Sequence, residues 1–129
     1  MAGMADTFAK ALQQTEESRD PDPLVRLFAE DAELHNLAIA EAGLDGARRF
    51  WETYLAQFDR IRSEFSHMIE SNGQAALVWT SEGALKDGQP IRYRGVSILE
   101  VEGDKVRRFE TVYDSAAFVR PESTAATGG

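Results

Sequence analysis

One carboxylate stands where an uncharged side chain is expected. The stretch from Ala75 to Leu85 is mostly apolar and carries a single charged residue, Glu82. Apolar surroundings disfavour an ionised carboxyl group, and the raised pKa that results suits a general acid or base. The groups that could work with Glu82 are tyrosine and amide groups: Tyr93, Tyr113 and Asn36. The sequence has no cysteine. That excludes thiolate nucleophiles, cysteine-based zinc sites, iron–sulfur clusters and a disulfide framework. Histidine occurs only at positions 35 and 67, with no further metal-ligand pattern beside either, so no metal is implied. No organic cofactor is implied either.

The chain that must position these groups is short. Its 129 residues fit one domain, large enough to bury a core without staples. That domain is expected over 1–120, with a small, polar, fraying tail over 121–129. Lys and Arg number 14 against 22 Asp and Glu, a net charge of −8. This is the wrong sign for non-specific nucleic-acid binding or for an anionic membrane surface. No apolar run approaches a membrane span and no leader is visible at the start, so a soluble, cytoplasmic protein is expected.

Apolar residues recur with helical period before Asp59 and with strand character after it. Phe8, Ala11, Leu12 and Thr15 predict a first helix, capped by Asp6 or Thr7. Asp22-Pro23 opens a second, with Leu24, Leu27 and Phe28 inward. A short strand is expected over 31–37 and a loop through Gly43. A third helix, capped by Asp45, presents Phe50, Trp51, Tyr54, Leu55 and Phe58 on one broad face. Four strands follow over 62–71, 74–86, 89–102 and 105–114. Asn72-Gly73, Asp87-Gly88 and Gly103-Asp104 punctuate them as hairpin turns. Helices followed by consecutive hairpins indicate an α+β fold with helices on one face of a curved, mainly antiparallel sheet.

Two-residue turns at the first two hairpins place Ser63 opposite Glu82, Phe65 opposite Thr80, His67 opposite Val78 and Glu82 opposite Tyr93. A three-residue loop at the last hairpin places Tyr93 opposite Tyr113, Gly95 opposite Thr111 and Ser97 opposite Phe109. It is preferred because it keeps Arg108 and Glu110 off the enclosed face. That face then carries Ser63, Phe65, His67, Thr80, Glu82, Tyr93, Ser97, Phe109, Thr111 and Tyr113. It is expected to line a small-molecule pocket under the helices. The other face carries Met68, Leu77, Trp79, Val96, Ile98 and Val112, edged by Arg92, Arg94, Arg108 and Glu110. So large an apolar face predicts a homodimer through it. The plainer alternative for Glu82 is a solvated side chain paired with Arg92 or Arg94. His67 is expected as a pocket-wall or core residue and His35 as facing away from the pocket.

The local words resemble a known family. They are Leu27-Phe28-Ala29-Glu30-Asp31-Ala32 leading into Leu34-His35-Asn36, Gly46 before the aromatic helix, Arg94-Gly95-Val96-Ser97, Gly103-Asp104-Lys105-Val106 and Phe109-Glu110-Thr111-Val112-Tyr113-Asp114. Their order resembles the nuclear transport factor 2-like superfamily, in its SnoaL-like and limonene-epoxide-hydrolase-like branch, from about Phe8 to Phe118. The resemblance implies a cone-shaped roll of three N-terminal helices on a strongly curved sheet. It fixes no single activity, because this fold hosts isomerases, hydrolases, cyclases, dehydratases and binders. Against ketosteroid isomerases, Asn36 stands where the base aspartate is expected, Gly95 or Val96 near the oxyanion aspartate, and the first-helix tyrosine has no match. Against limonene-type epoxide hydrolases, Asn36 matches the water-holding asparagine and Glu82 one acid. Leu34, Thr80 and Thr111 replace the tyrosine, the arginine and the second aspartate.

The expected function is therefore a SnoaL-like pocket protein performing acid–base catalysis of isomerase, cyclase or hydrolase type on a small, mostly apolar substrate. Glu82 would be the base, Tyr93 or Tyr113 the hydrogen-bond donor and Asn36 the orienting group. Leu34, Trp51, Tyr54, Phe65, His67, Thr80, Ser97, Phe109, Thr111 and Tyr113 would form the pocket. The alternative is a non-catalytic, dimeric ligand-binding or assembly module of the same fold.

Overall fold

The computed structural model describes residues 3–119. The tail expected over 121–129 lies outside the described residues. Helix α1 (Met4–Ser18) is followed by the single turn α2 (Asp22–Val25) and strand β1 (Phe28–His35). Strand β2 (Ala40–Ala42) leads directly into helix α3 (Gly43–Ala56). Strands β3 (Phe58–Ser71), β4 (Gln74–Leu85), β5 (Pro90–Glu102) and β6 (Lys105–Tyr113) complete the sheet. A 3₁₀ turn, Ser115–Phe118, ends it, with the Asp114 carboxylate accepting the Ala116 N–H. No helix among the described residues is long and apolar enough to cross a membrane.

The six strands form one open, mixed sheet in the order β2-β1-β6-β5-β4-β3. All neighbours are antiparallel except β1 and β6, which run parallel. The α+β roll of three helices on a curved sheet is thus as expected. The segment over 40–42, expected as a loop, instead adds an edge strand to β1.

The helices sit where their apolar spacing puts them. Phe8 and Leu12 of α1 and Phe50 and Trp51 of α3 are buried against Leu34, Leu77, Leu99 and Phe109 of the sheet. A second cluster, Phe58, Ile61, Trp79, Ile91 and Tyr93, fills the other end. Arg19, in the left-handed region just past α1, joins α3 to β3. Its guanidinium donates to the carbonyls of Leu55 (3.0 Å) and Phe58 (2.8 Å), which adds a partner at the C-terminal end of α3.

The strand register differs from expectation in an informative way. The turn Asn72-Gly73 forms as predicted, both residues at positive φ, and pairs His67 with Val78. Between His67 and Phe65 the pairing shifts, because Ser66 is an extra residue in β3. Such a bulge changes which residues face each other beyond it. Ser63 therefore faces Ser81 and Phe65 faces Trp79, in place of Glu82 and Thr80. The second turn has three residues, 86–88. It is closed by Leu85 N–H to the Gln89 carbonyl (2.9 Å), with Gly88 at φ +88°. Asp-Gly fits that geometry as well as a two-residue turn. The result is Ser81 opposite Tyr93 and Glu82 opposite Arg92.

A one-residue slip moves every side chain of a strand to the other face. Leu77, Trp79 and Ser81 thus point inward under the helices, and Thr80 and Glu82 point outward. The last hairpin has the two-residue loop Gly103-Asp104 rather than three residues. A bulge near Glu100 restores the parity, so Ser97, Phe109, Thr111 and Tyr113 share the inner face as expected. Ser97 pairs with Thr111 there.

Candidate functional site

The inner face and the helices enclose a pocket lined by Phe8, Leu12, Phe50, Trp51, Tyr54, Trp79, Tyr93 and Phe109, with Ser63, Ser81, Ser97 and Thr111 as its polar wall. Its enclosed volume is about 50 Å³, room for a few waters. Asn36, Thr53, Gln57, Tyr113 and Phe118 also line it and are partly or fully exposed, so they form its mouth. The aromatic walls meet in edge and stacked contacts. Trp51 lies 5.2 Å from Phe109, Phe8 5.5 Å from Phe109, and Tyr93 4.9 Å from Phe118.

The ionisable group behind this pocket is Glu16. It lies on α1, four residues after Leu12 and eight after Phe8, on the helix face turned toward the sheet. Only 4% of it is exposed. One carboxylate oxygen, Oε1, accepts the Ser63 backbone N–H at 2.8 Å. The other, Oε2, accepts the Tyr54 hydroxyl at 2.7 Å and the Ser63 hydroxyl at 2.6 Å. Ser63 Oγ is also 2.6 Å from Ser81 Oγ. Burial raises the Glu16 pKa above its ordinary value, and the hydrogen bonds of Ser63 and Tyr54 and the charge of Arg62 oppose that rise only in part. Burial, followed by the charge of Glu16, raises the Tyr54 pKa well above the tyrosine range. Tyr93 is likewise raised, first by burial and then by Tyr113 and Glu16.

A second polar row runs across β4, β5 and β6. Trp79 Nε1–H donates to Ser97 Oγ (2.9 Å), Ser97 to Thr111 Oγ1 (3.1 Å), and Thr111 to the Val96 carbonyl (3.3 Å). At the mouth, Asn36 Oδ1 accepts the N–H groups of Ala38 (2.8 Å) and Ile39 (2.7 Å). That holds the loop and leaves the amide N–H groups of Asn36 as its available donors. Trp51 Nε1 is buried and has no hydrogen-bond partner among the described residues.

Of the residues expected at the site, the fold brings Tyr93, Asn36, Trp51, Tyr54, Ser97, Phe109, Thr111 and Tyr113 to this pocket. The expected base is not there. The Glu82 side chain is 70% exposed on the outer face, 3.6 Å from Arg92 Nε, which is the solvated alternative. Thr80 shares that outer face, half-buried. His67 is exposed there, 3.1 Å from Ser66 Oγ. The Ser66 bulge and the three-residue turn account for these displacements. Leu34 is fully buried in the core, and Phe65 is half-buried between the two clusters. Neither lines the pocket. His35 faces away from it, within 3.3 Å of Glu33 and 3.4 Å of Arg108. Glu16, Ser63 and Ser81 carry the polar floor. Glu16 was legible in principle, because it continues the stripe of Phe8, Leu12 and Thr15.

A curved, open sheet roofed by three helices over an aromatic pocket defines the nuclear transport factor 2-like class of fold. A sequence model of the SnoaL-like domain matches residues 7–109, and the chain belongs to that family. Comparison with curated proteins found no match. Among solved structures, an NTF2-like protein of unknown function from Burkholderia pseudomallei K96243 aligns with a TM-score of 0.80 at 16% identity. The alignment covers 92% of this chain and 97% of that one. AclR, a putative hydroxylase from Streptomyces galilaeus, aligns with a TM-score of 0.71 at 14% identity, covering 87% and 86%. TerC, co-crystallised with polyporic acid, aligns with a TM-score of 0.73 at 18% identity, covering 84% and 92%. At these identities the likeness is one of fold.

Proposed function

We propose that the protein is an enzyme that moves protons on a small, mostly apolar organic substrate, with no metal or organic cofactor in the step. The observation that carries this reading is the Glu16–Tyr54 hydrogen bond, which joins a buried carboxylate to a pocket-lining hydroxyl at 2.7 Å. A substrate proton is taken by the Tyr54 oxygen as the proton already on Tyr54 passes to Glu16 Oε2. The tyrosine stays neutral throughout, in keeping with its raised pKa. The carboxylate ends protonated, and its own raised pKa makes it the stronger base. Returning the proton to a different substrate atom completes an isomerisation or a ring closure. Polyporic acid in TerC is one ligand taken by a domain of this fold, and the aromatic walls here suit a flat ring.

The test needs no known substrate. Acetophenone, 1-indanone and similar aryl ketones are incubated with the protein in D₂O, and loss of their α-protons is followed by NMR. Exchange above the buffer rate is expected. Glu16→Gln and Tyr54→Phe should each lower it by about 10²-fold or more, the scale of one positioned acid or base. Equal rates in the wild type and both variants sink the relay.

One observation favours the second reading, a non-catalytic binding module. Both oxygens of Glu16 are already engaged and the group lies behind the pocket wall rather than on it. Ketones that bind but never exchange would support that module. In either case we propose that two copies associate through the outer sheet face.

A further inference from the structure

Resting on the reading of this pocket as a small-molecule site, we propose that its inner end binds a neutral hydroxyl group carried on an aromatic ring. The hydroxyl donates its one proton to the oxygen of Tyr54 or of Ser81 and accepts from the hydroxyl of Tyr93.

The proposal follows from a count of protons. Above its pKa the Glu16 carboxylate is ionised, and in that state it accepts and never donates, so every hydrogen bond to it has a fixed direction. Tyr54 spends its one hydroxyl proton on Oε2, and Ser63 spends its own on the same oxygen. Ser63 then has no proton for its 2.6 Å contact with Ser81, so Ser81 must donate there. Tyr54 and Ser81 both line the pocket, and toward it they can offer only lone pairs. Glu16 thus turns a row of hydroxyls, which could have gripped an anion, into a row of acceptors.

The opposite wall does not reverse this. Trp79, Ser97 and Thr111 pass their protons one to the next, and the last ends on the Val96 carbonyl. Tyr93 differs. Its hydroxyl neighbours those of Tyr54 and Ser81, and its proton can turn toward a ligand oxygen.

A ligand group at this end therefore meets two acceptors and one donor. A hydroxyl carries one proton and lone pairs, so it serves one of the acceptors and the donor together. An ether oxygen can take the Tyr93 proton but leaves Tyr54 and Ser81 facing carbon, and an unpaired buried acceptor is costly. An ammonium group donates but has no lone pair for Tyr93. A carboxylate meets lone pairs next to the charge of Glu16. The aromatic ring is required by the walls, since Phe8, Trp51, Trp79 and Phe109 surround the space beyond the hydroxyls. Seating a ring requires Tyr113 and Phe118, half-buried at the mouth, to give way.

The experiment measures dissociation constants of four matched probes with the wild-type protein by NMR titration: 4-ethylphenol, 4-ethylanisole, 4-ethylbenzylamine and 4-ethylbenzoate. The phenol is expected to bind about tenfold or more tightly than the ether, the difference that one unpaired buried group makes. The amine and the benzoate should be weaker still. Tyr54→Phe and Ser81→Ala combined should shrink the ratio of phenol to ether toward one, with the affinity for the ether nearly unchanged. An ether, amine or benzoate that equals or surpasses the phenol overturns the hydroxyl assignment and leaves the pocket reading intact. If none of the four probes nor any ketone of the exchange panel shifts a pocket resonance, the pocket reading itself fails.

Discussion

Glu16 and Glu82 have the same side chain and opposite surroundings. Glu82 rests in water beside Arg92, and an exposed pair of that kind contributes about 0–1 kcal/mol. Glu16 is held by three hydrogen bonds at a site less favourable to its charge than water is. This has a consequence for stability with a definite sign. Because the folded-state pKa lies above the ordinary value of 4.5, the native protein holds this proton over a range where the unfolded chain has released it. Stability therefore falls as pH rises from about 4.5 through the raised value, and the loss is complete above it. Glutamine at this position cannot titrate. The melting temperature of Glu16→Gln minus that of the wild type should thus rise across this window and then level off. Thermal unfolding followed by circular dichroism between about pH 4 and pH 8 measures it. A difference that stays flat over the range means that Glu16 does not titrate in the folded protein as described.

At the scale of elements, the inner face depends on one glycine. A Cβ placed on Gly95 would lie 2.5 Å from the Val112 carbonyl oxygen and 2.6 Å from Trp79 Cζ2. Trp79 can cross its neighbour strand only because nothing projects there, a close approach that strand glycines permit. From that position it lines the pocket and donates to Ser97. Gly95→Ala should push the indole aside, cost about 1–3 kcal/mol as overpacking does, and change the tryptophan emission. A variant with unchanged denaturation midpoint and spectrum would show that Trp79 has room to move.

The same strands show how far the sequence could be read. Turn residues and apolar period place nearly every element, because Asn-Gly, Asp-Gly and Gly-Asp punctuate the strands and the helices carry clear stripes. Parity is a different matter. It hinges on Ser66, a serine indistinguishable from its neighbours until it bulges, and on whether Asp87-Gly88 closes a loop of two residues or three. Either choice alone decides whether Glu82 or Ser81 faces the pocket. The sizes of Leu77, Trp79, Ile91 and Tyr93 argue for turning those residues inward together, a criterion that outweighs turn length here. Glu16 escaped notice because a charge on a helix reads as solvated, although its spacing from Phe8 and Leu12 places it on the buried face.

At the scale of the whole molecule, the sheet has two faces and the helices cover one. On the other, Ile69, Val112 and Ile98 are 62%, 48% and 39% exposed, and half-buried Val78 and Val96 lie between them. Leu77 and Trp79, expected in this surface, are buried under the helices instead. Met68 faces the same way as Leu77 and is left partly exposed at the rim. What remains is a stripe of β-branched residues bordered by charges of both signs. Arg92 and Arg94 stand at one end, and Arg108 is held among Glu33, Glu100 and Glu110 at the other. In the dimer we propose, a two-fold axis would set each acidic flank against a basic one. Association here leaves the pocket untouched, because its mouth opens beside α3 and the 3₁₀ turn on the helical side. The wild-type protein should sediment at twice the chain mass at micromolar concentration. Val96→Glu combined with Ile98→Glu should sediment as a monomer, with its circular dichroism and its affinity for the phenol probe retained, since neither side chain lines the pocket. A wild-type monomer at that concentration, or a dimer that survives both substitutions, would rule this face out as the interface.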